Sequence, residues 1–310
     1  MDKEDFWQNF DLGIELETAG TFIYNGLRSF HEMDTLQNED EIFDVLYQLS
    51  VGIERLLKVT VVLLEYEKGA DQKAFEETLK THNHQDLFKR IKQRTTVSTS
   101  ICTPHNSLLQ LLTKFYKTYR YDRFQASSLT PRSKDKKELL SYFSKQLKIN
   151  LSDDDFYRIP QNDDRIRSFL GKIVGAICKT TYEIAEAAAR AKNLYTYEIR
   201  YNSKAAKIFL NEEYNFRNED IFWRELILDL YAGPKDTVFG RYLNKIGALK
   251  LDPMLLPERL EGLRSFTKRI EMMDEIHSIY DGLTNSDRKK RLECLNLIGL
   301  DGGYIFEEKT

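Results

Sequence analysis

Glycine and proline are scarce in this chain of 310 residues, at 15 and 6. Turn-rich β-sandwiches and glycine-cornered barrels depend on both residue types, so their shortage argues against those folds. Cysteine is scarcer still. Cys102, Cys178 and Cys294 stand far apart, with no CxxC spacing and no neighbouring histidine pair. An odd, scattered set suits free thiols in a reducing compartment and not a disulfide framework or a zinc site. Long hydrophobic runs are also missing. The longest apolar stretch, Val59 to Leu64, makes one or two turns and is flanked by Lys58 and Glu65, against about 20 residues for a spanning helix. The start, Met-Asp-Lys-Glu-Asp, is the reverse of a cationic leader. The expectation is a cytoplasmic protein with no membrane segment. Catalytic fingerprints are absent too: there is no Gly-x-Ser-x-Gly, no His-Glu-x-x-His and no dinucleotide-binding glycine pattern. Gly302-Gly303 lacks the Lys-Ser/Thr of a phosphate-binding loop. No cofactor is expected.

What is present is a chain 41% hydrophobic and 31% charged, enough apolar material to fill a core. The fold class expected is all-α. Phe6, Phe10, Ile14, Phe22, Ile23, Leu27 and Phe30 recur at three-to-four spacing, which predicts a long amphipathic helix. A second helix starts near Glu39 after acidic residues that suit its dipole. Its Lys58–Glu65 half is apolar on nearly every face and reads as the central buried element. Thr103 as N-cap with Pro104 behind it opens a third helix running to about Phe124. A lysine-rich helix from about 133 to 147 follows, then a long one from Asp163-Asp164 to about Asn193. Shorter helices are expected at 203–210, 218–231, 237–246, 258–281 and 287–298. Tyr195 to Tyr201 alternates aromatic with polar and admits a short extended connection. The turn-rich segment from Ala126 to Pro131 marks the expected boundary, giving a bundle at 1–128 and a second helical domain at 129–310.

The formal net charge of −3 conceals two opposed regions. Residues 1–50 carry 2 basic and 12 acidic side chains, whereas 89–148 carry 14 basic and 3 acidic ones. Within the basic region Lys114, Lys117 and Arg120 recur every three residues, with Tyr116, Tyr119 and Tyr121 among them. Cations follow phosphates and aromatic faces stack on unpaired bases, so Arg90, Arg94, Lys114, Lys117, Arg120 and Arg123 form a candidate surface for RNA or a nucleotide. The alternative is a basic helix packed beside the acidic first helices. His82 and His84 are the candidate catalytic pair, to be set against a helix-start role with bonds to backbone or a neighbouring carboxylate. A His-x-His zinc site lacks nominated third and fourth ligands. The run Asp153-Asp154-Asp155 invites a magnesium reading, although acids after Ser152 suit a helix start or a solvated turn. Arg269 and His277 lie eight apart among Met272, Met273 and Ile276, which suggests packing.

Three short segments together resemble a known family. They are Ser50-Val-Gly-Ile-Glu-Arg-Leu-Leu-Lys58, Thr81-His82-Asn83-His84-Gln85-Asp86-Leu87, and Phe115-Tyr116 continuing to Arg120-Tyr121-Asp122. They make the first 125 or so residues similar to the HEPN (higher eukaryotes and prokaryotes nucleotide-binding) domains. The resemblance implies a helical bundle working in bacterial defence, antiviral or toxin–antitoxin systems, with RNA or nucleotide partners, a protein partner in a defence complex, and pairing of two copies through long helices. Val59–Leu64 offers surface for such a homodimer. HEPN ribonucleases carry an arginine followed after four to six residues by histidine, for binding the scissile phosphate and moving protons. None of His31, His82, His84, His105 and His277 has an arginine at that spacing. The expectation is therefore a binding protein without a recognisable catalytic motif. One alternative is a helical scaffold that docks other proteins or a second copy of itself. Another is a metal-independent ribonuclease whose site joins His82 or His84 to Arg120 or Arg123.

Overall fold

The computed structural model describes residues 2–97, 101–122, 124, 134–151, 159–233, 237–263 and 266–295. Every regular element among them is helical, and the only extended pairing is an isolated antiparallel bridge between Thr35 and Gln161. The protein is all-α.

The chain divides into two compact units, residues 1–216 and 217–310. In the first, α1 (Lys3–Phe6) passes through a π-helical turn (Trp7–Asp11) into α2 (Leu12–Glu32). The helix α3 (Glu39–Glu65) returns antiparallel along α2, because glycines at the crossing remove the side chains that would hold the two apart. A Cβ on Gly26 would meet Leu49, and one on Gly52 would lie 2.7 Å from Ile23 Cγ1. More than half of α3 is buried, with its buried residues running from Ile42 to Leu63. Around it lie α5 (His84–Arg94), α6 (Thr103–Lys114), α8 (Lys134–Leu147) and α9 (Asp164–Ala191). The short α4 (Gln72–Leu79) and α7 (Arg120–Asp122) complete the surface, and α10 (Lys204–Phe209) packs on α2.

The starts of these helices follow their sequences. Asn83, Asp163 and Ser203 accept from the backbone N–H groups of Asp86, Ile166 and Ala206, satisfying donors that a helix start leaves open. Helix α6 begins one residue earlier than its Thr-Pro signal suggests. Cys102 is the N-cap, and the His105 ring Nδ1 accepts its backbone N–H at 3.1 Å. Buried Asn162 donates to the carbonyls of Phe30 and Met33 at 2.7 and 3.0 Å, closing the C-terminal end of α2. Tyr195 to Tyr201 forms turns and not a strand, held by Thr196 Oγ1 donating to the Gln8 carbonyl at 2.6 Å.

Two expectations are corrected by this packing. The division expected at 128/129 falls instead at 216/217. Leu139, Leu140 and Phe143 of α8 and Ile166, Leu170, Val174 and Ile177 of α9 share one core with Leu16, Ile23 and Leu49. The turn-rich stretch thus joins two helices of the same core; Ala126 to Pro131 itself lies outside the described residues. The second correction concerns the segment Val59 to Leu64. Val59, Val62 and Leu63 are buried against Leu12, Ala185 and Ala189, with Trp7 packed beside them. That apolar stretch is covered within its own chain and offers no dimer surface.

The second unit holds α11 (Arg217–Ala232), α12 (Val238–Ile246), a 3-10 turn (Pro253–Leu255), α13 (Leu256–Gly262), α14 (Phe266–Asp281) and α15 (Asn285–Leu295). The single helix expected over 258–281 is divided here, and Arg269 donates to the Gly262 and Leu263 carbonyls that end α13. Among the residues of this unit whose burial is described, Gly262 alone is buried.

Candidate nucleic-acid interface

The turn between α4 and α5 lies across the middle of α3. Ser50 and Glu54 are four residues apart on α3 and share a face. The two histidines of Thr81-His82-Asn83-His84 take them in reverse order, His84 on Ser50 and His82 on Glu54. His84 is fully buried, with Nε2 2.9 Å from the Ser50 carbonyl oxygen, so this ring nitrogen carries the proton and donates. Its backbone N–H donates to Thr113 Oγ1 at 3.1 Å. His84 is therefore an anchor that ties the turn to α3 and α6, with no open path to a substrate.

Burial pushes the His84 imidazole below its ordinary value of 6.5. A histidine held neutral in the fold but free to charge when unfolded takes up protons preferentially in the unfolded state. Stability is then complete above about pH 6.5 and falls on acidification below it, by up to about 1.4 kcal/mol per pH unit for one group. Denaturant titrations between pH 7 and 5 should show a shallower decline for His84→Gln than for the parent; equal slopes would contradict this assignment.

His82 is in a different position. Its side chain is 46% exposed, and Nδ1 lies 3.0 Å from Glu54 Oε2. Glu54 is buried and also accepts from Lys58 Nζ at 2.7 Å. With Nδ1–H directed at the carboxylate, Nε2 is left as the free nitrogen of the ring. The Tyr116 ring lies 4.6 Å from the His82 ring, centroid to centroid. On Tyr116 rests the Arg120 guanidinium, 3.7 Å from the ring centroid and 4.5 Å from that of Tyr121. Folding thus brings His82 and Arg120 onto one tyrosine, although 38 positions separate them in the chain. The aromatic surface continues inward, with Tyr47 stacked on Tyr116 at 6.2 Å and Phe43 on Tyr47 at 6.3 Å.

The backbone contributes to this arrangement. Residues Phe115–Tyr119 form a π-helical turn, a rare local widening that often accompanies functional sites. Phe115 remains fully buried while Tyr116, next to it, reaches the surface. Arg120 has no hydrogen bond or ion pair among the described residues, and its Nε is buried without a partner. A guanidinium stacked on rings keeps its N–H edge available for an anion. Lys114 and Lys117 are exposed and free of ion pairs among the described residues.

The other expected surface cations divide. Arg94 is exposed on the last turn of α5. Arg90 is committed elsewhere, with Nη2 and Nε bound to the Glu65 carboxylate at 2.7 and 3.2 Å and Nη1 donating to the Thr78 carbonyl. Arg123 and the Asp153–Asp155 run lie outside the described residues. Glu54 and Tyr47 are the members of the site that sequence reasoning did not nominate. The available signal for Glu54 was a carboxylate beside Ile53 and one turn from Ser50 and Leu57 on a largely apolar helix, where it cannot be buried without partners.

Among the described residues no group of three or more His, Cys, Asp or Glu side chains is placed to hold a metal ion. No described helix is long and apolar enough to cross a membrane. No family model, curated protein or solved structure matches the chain.

Proposed function

We propose that this protein binds single-stranded RNA on the surface formed by His82, Lys114, Tyr116, Lys117, Arg120 and Tyr121. The observation that carries the reading is the Arg120 guanidinium, unpaired and held between two tyrosine rings. Phosphates would lie along Lys114, Lys117 and Arg120, and an unpaired base on the exposed Tyr121 ring. In the HEPN-like setting such a binder would serve a bacterial defence or toxin–antitoxin system. Fluorescence anisotropy with a labelled oligouridylate tests the reading. Binding should weaken steeply with salt and exceed that to a duplex of equal length; no binding at low salt would overturn it.

One observation favours a second reading, a metal-independent ribonuclease. Glu54 orients His82 through Nδ1 and leaves Nε2 able to take the proton of a ribose 2′-OH, with Arg120 positioned to neutralise the phosphate. Cleavage of RNA in EDTA that is lost in His82→Ala and retained in Arg90→Ala would support it. An uncleaved oligonucleotide after prolonged incubation would leave the protein a binder only.

A further inference from the structure

The segment between Asp86 and Asp122 contains no acidic residue. Residues 87–121 hold seven Lys and Arg side chains and no Asp or Glu, in a chain with 49 acids. The tyrosine site uses only the last three of those cations. On α5, Gln85, Lys89 and Lys92 fall at four- and three-residue spacing and so form one row. On α6, Asn106, Gln110 and Lys114 form another at four-residue spacing. All six are exposed.

Folding joins the two rows. Gln85 Nε2 donates to the Asn106 carbonyl at 3.4 Å, and the His84 backbone bond to Thr113 sets the start of α5 beside the end of α6 that carries Lys114. From there the α5 row runs about 12 Å to Lys92. Lys89 and Lys92 have no ion pair among the described residues, and the Lys92 ammonium lies 5.2 Å from the Phe88 ring centroid. Asp86, the nearest acid in sequence, accepts from Asn83 Nδ2 within the turn. Arg90 and Arg94, four residues apart, lie on another row, where Arg90 is bound to Glu65.

This face differs chemically from the tyrosine site. It presents ammonium and amide groups, and no large hydrophobic side chain of α5 or α6 is exposed. Protein interfaces are built on apolar anchors and are depleted in lysine. Lys, Asn and Gln side chains are, by contrast, ordinary partners of phosphate and sugar oxygens.

We propose that the α5–α6 face is a second RNA subsite, which holds the sugar-phosphate backbone of the strand that stacks a base on Tyr121. The inference rests on the RNA reading above and extends it. Arg120 and Tyr121 take a phosphate and a base, whereas Gln85, Lys89, Lys92, Asn106 and Gln110 take backbone alone. Short strands would fill the first subsite only, and longer ones both.

Fluorescence anisotropy of the full chain with oligouridylates of about 4 and about 12 nucleotides separates the subsites. Lys89→Glu/Lys92→Glu should weaken binding of the longer strand by about one to two orders of magnitude and leave the shorter within about twofold of the parent. The log–log salt slope for the longer strand should drop by about 1.4, for two lost phosphate contacts. The neutral pair Lys89→Gln/Lys92→Gln should show the same length dependence to a smaller extent. Both lysines are exposed, so the unfolding midpoint should stay at the parent value. Arg94→Glu, a charge reversal on the other row, should weaken the longer strand by no more than about twofold. The proposal is overturned if the parent binds both lengths equally, or if the lysine pair affects both lengths alike or neither. A loss in Arg94→Glu as large as in the lysine pair also overturns it. Failure of the RNA reading gives a different result, in which the parent binds neither length at low salt and both conclusions fall.

Discussion

Reversing three charges, Lys114→Glu, Lys117→Glu and Arg120→Glu, should weaken binding of single-stranded RNA by about two to three orders of magnitude. Each solvent-exposed contact to phosphate contributes about 1–1.5 kcal/mol net, the upper part of the range for an ordinary hydrogen bond, and about 1.4 kcal/mol is tenfold in affinity. The salt dependence should fall in parallel, the log–log slope dropping by about two for three lost phosphate contacts on a single strand. None of the three side chains is used in an ion pair among the described residues, so the fold should survive the exchange. Arg90→Ala should do the opposite, since its guanidinium joins α5 to Glu65 on α3. Affinity would be retained while stability falls. A triple variant that binds as tightly as the parent would remove this surface from consideration.

Gly20→Val should cost about 3 kcal/mol of stability, at the upper end of ordinary overpacking. A Cβ at Gly20 would stand 2.5 Å from Ala205 Cβ and 2.6 Å from Ala205 Cα, and the second of these is backbone that cannot rotate away. Helix α10 would have to leave α2. The milder Gly20→Ala should be rescued in part by Ala205→Gly, which removes the Cβ contact and leaves the Cα one, so the effects of the two positions couple. The experiment also tests the domain boundary. If residues 1–128 folded by themselves, a change made to fit around Ala205 would not depend on what stands at position 205. A denaturant midpoint unaffected by the rescuing substitution would support the boundary at 128/129.

Much of the helical architecture was legible because period and caps coincide. Asp163, Ser203 and Thr237 each stand where an apolar stripe begins, and each caps the helix that follows. The domain boundary was not legible. Gly, Ser and Pro signals report where a chain turns, whereas a domain is defined by which apolar faces share a core. Leu139 and Phe143 carry the same local pattern whether they bury against α9 alone or against α3 as well. The same limit applied to Val59–Leu64, where a segment apolar on all sides has to be covered but does not state by what. In the site, the histidines and Arg120 could be read as chemistry-bearing residues. The meeting of His82 and Arg120 on Tyr116 depends on α3 standing between two surface segments, which no local spacing encodes. The separate roles of His82 and His84 follow from burial, with one histidine enclosed between Ser50 and Thr113 and the other half-exposed over Glu54.

The central claim is that RNA is bound on the aromatic platform beside His82. Ultraviolet crosslinking of 4-thiouridine RNA to the full-length protein, with the adducts located by peptide mass spectrometry, addresses it directly. Adducts on Tyr116 or Tyr121, diminished by Arg120→Ala, are the result predicted here. Adducts confined to residues 217–310, or a yield unchanged by that substitution, would contradict it.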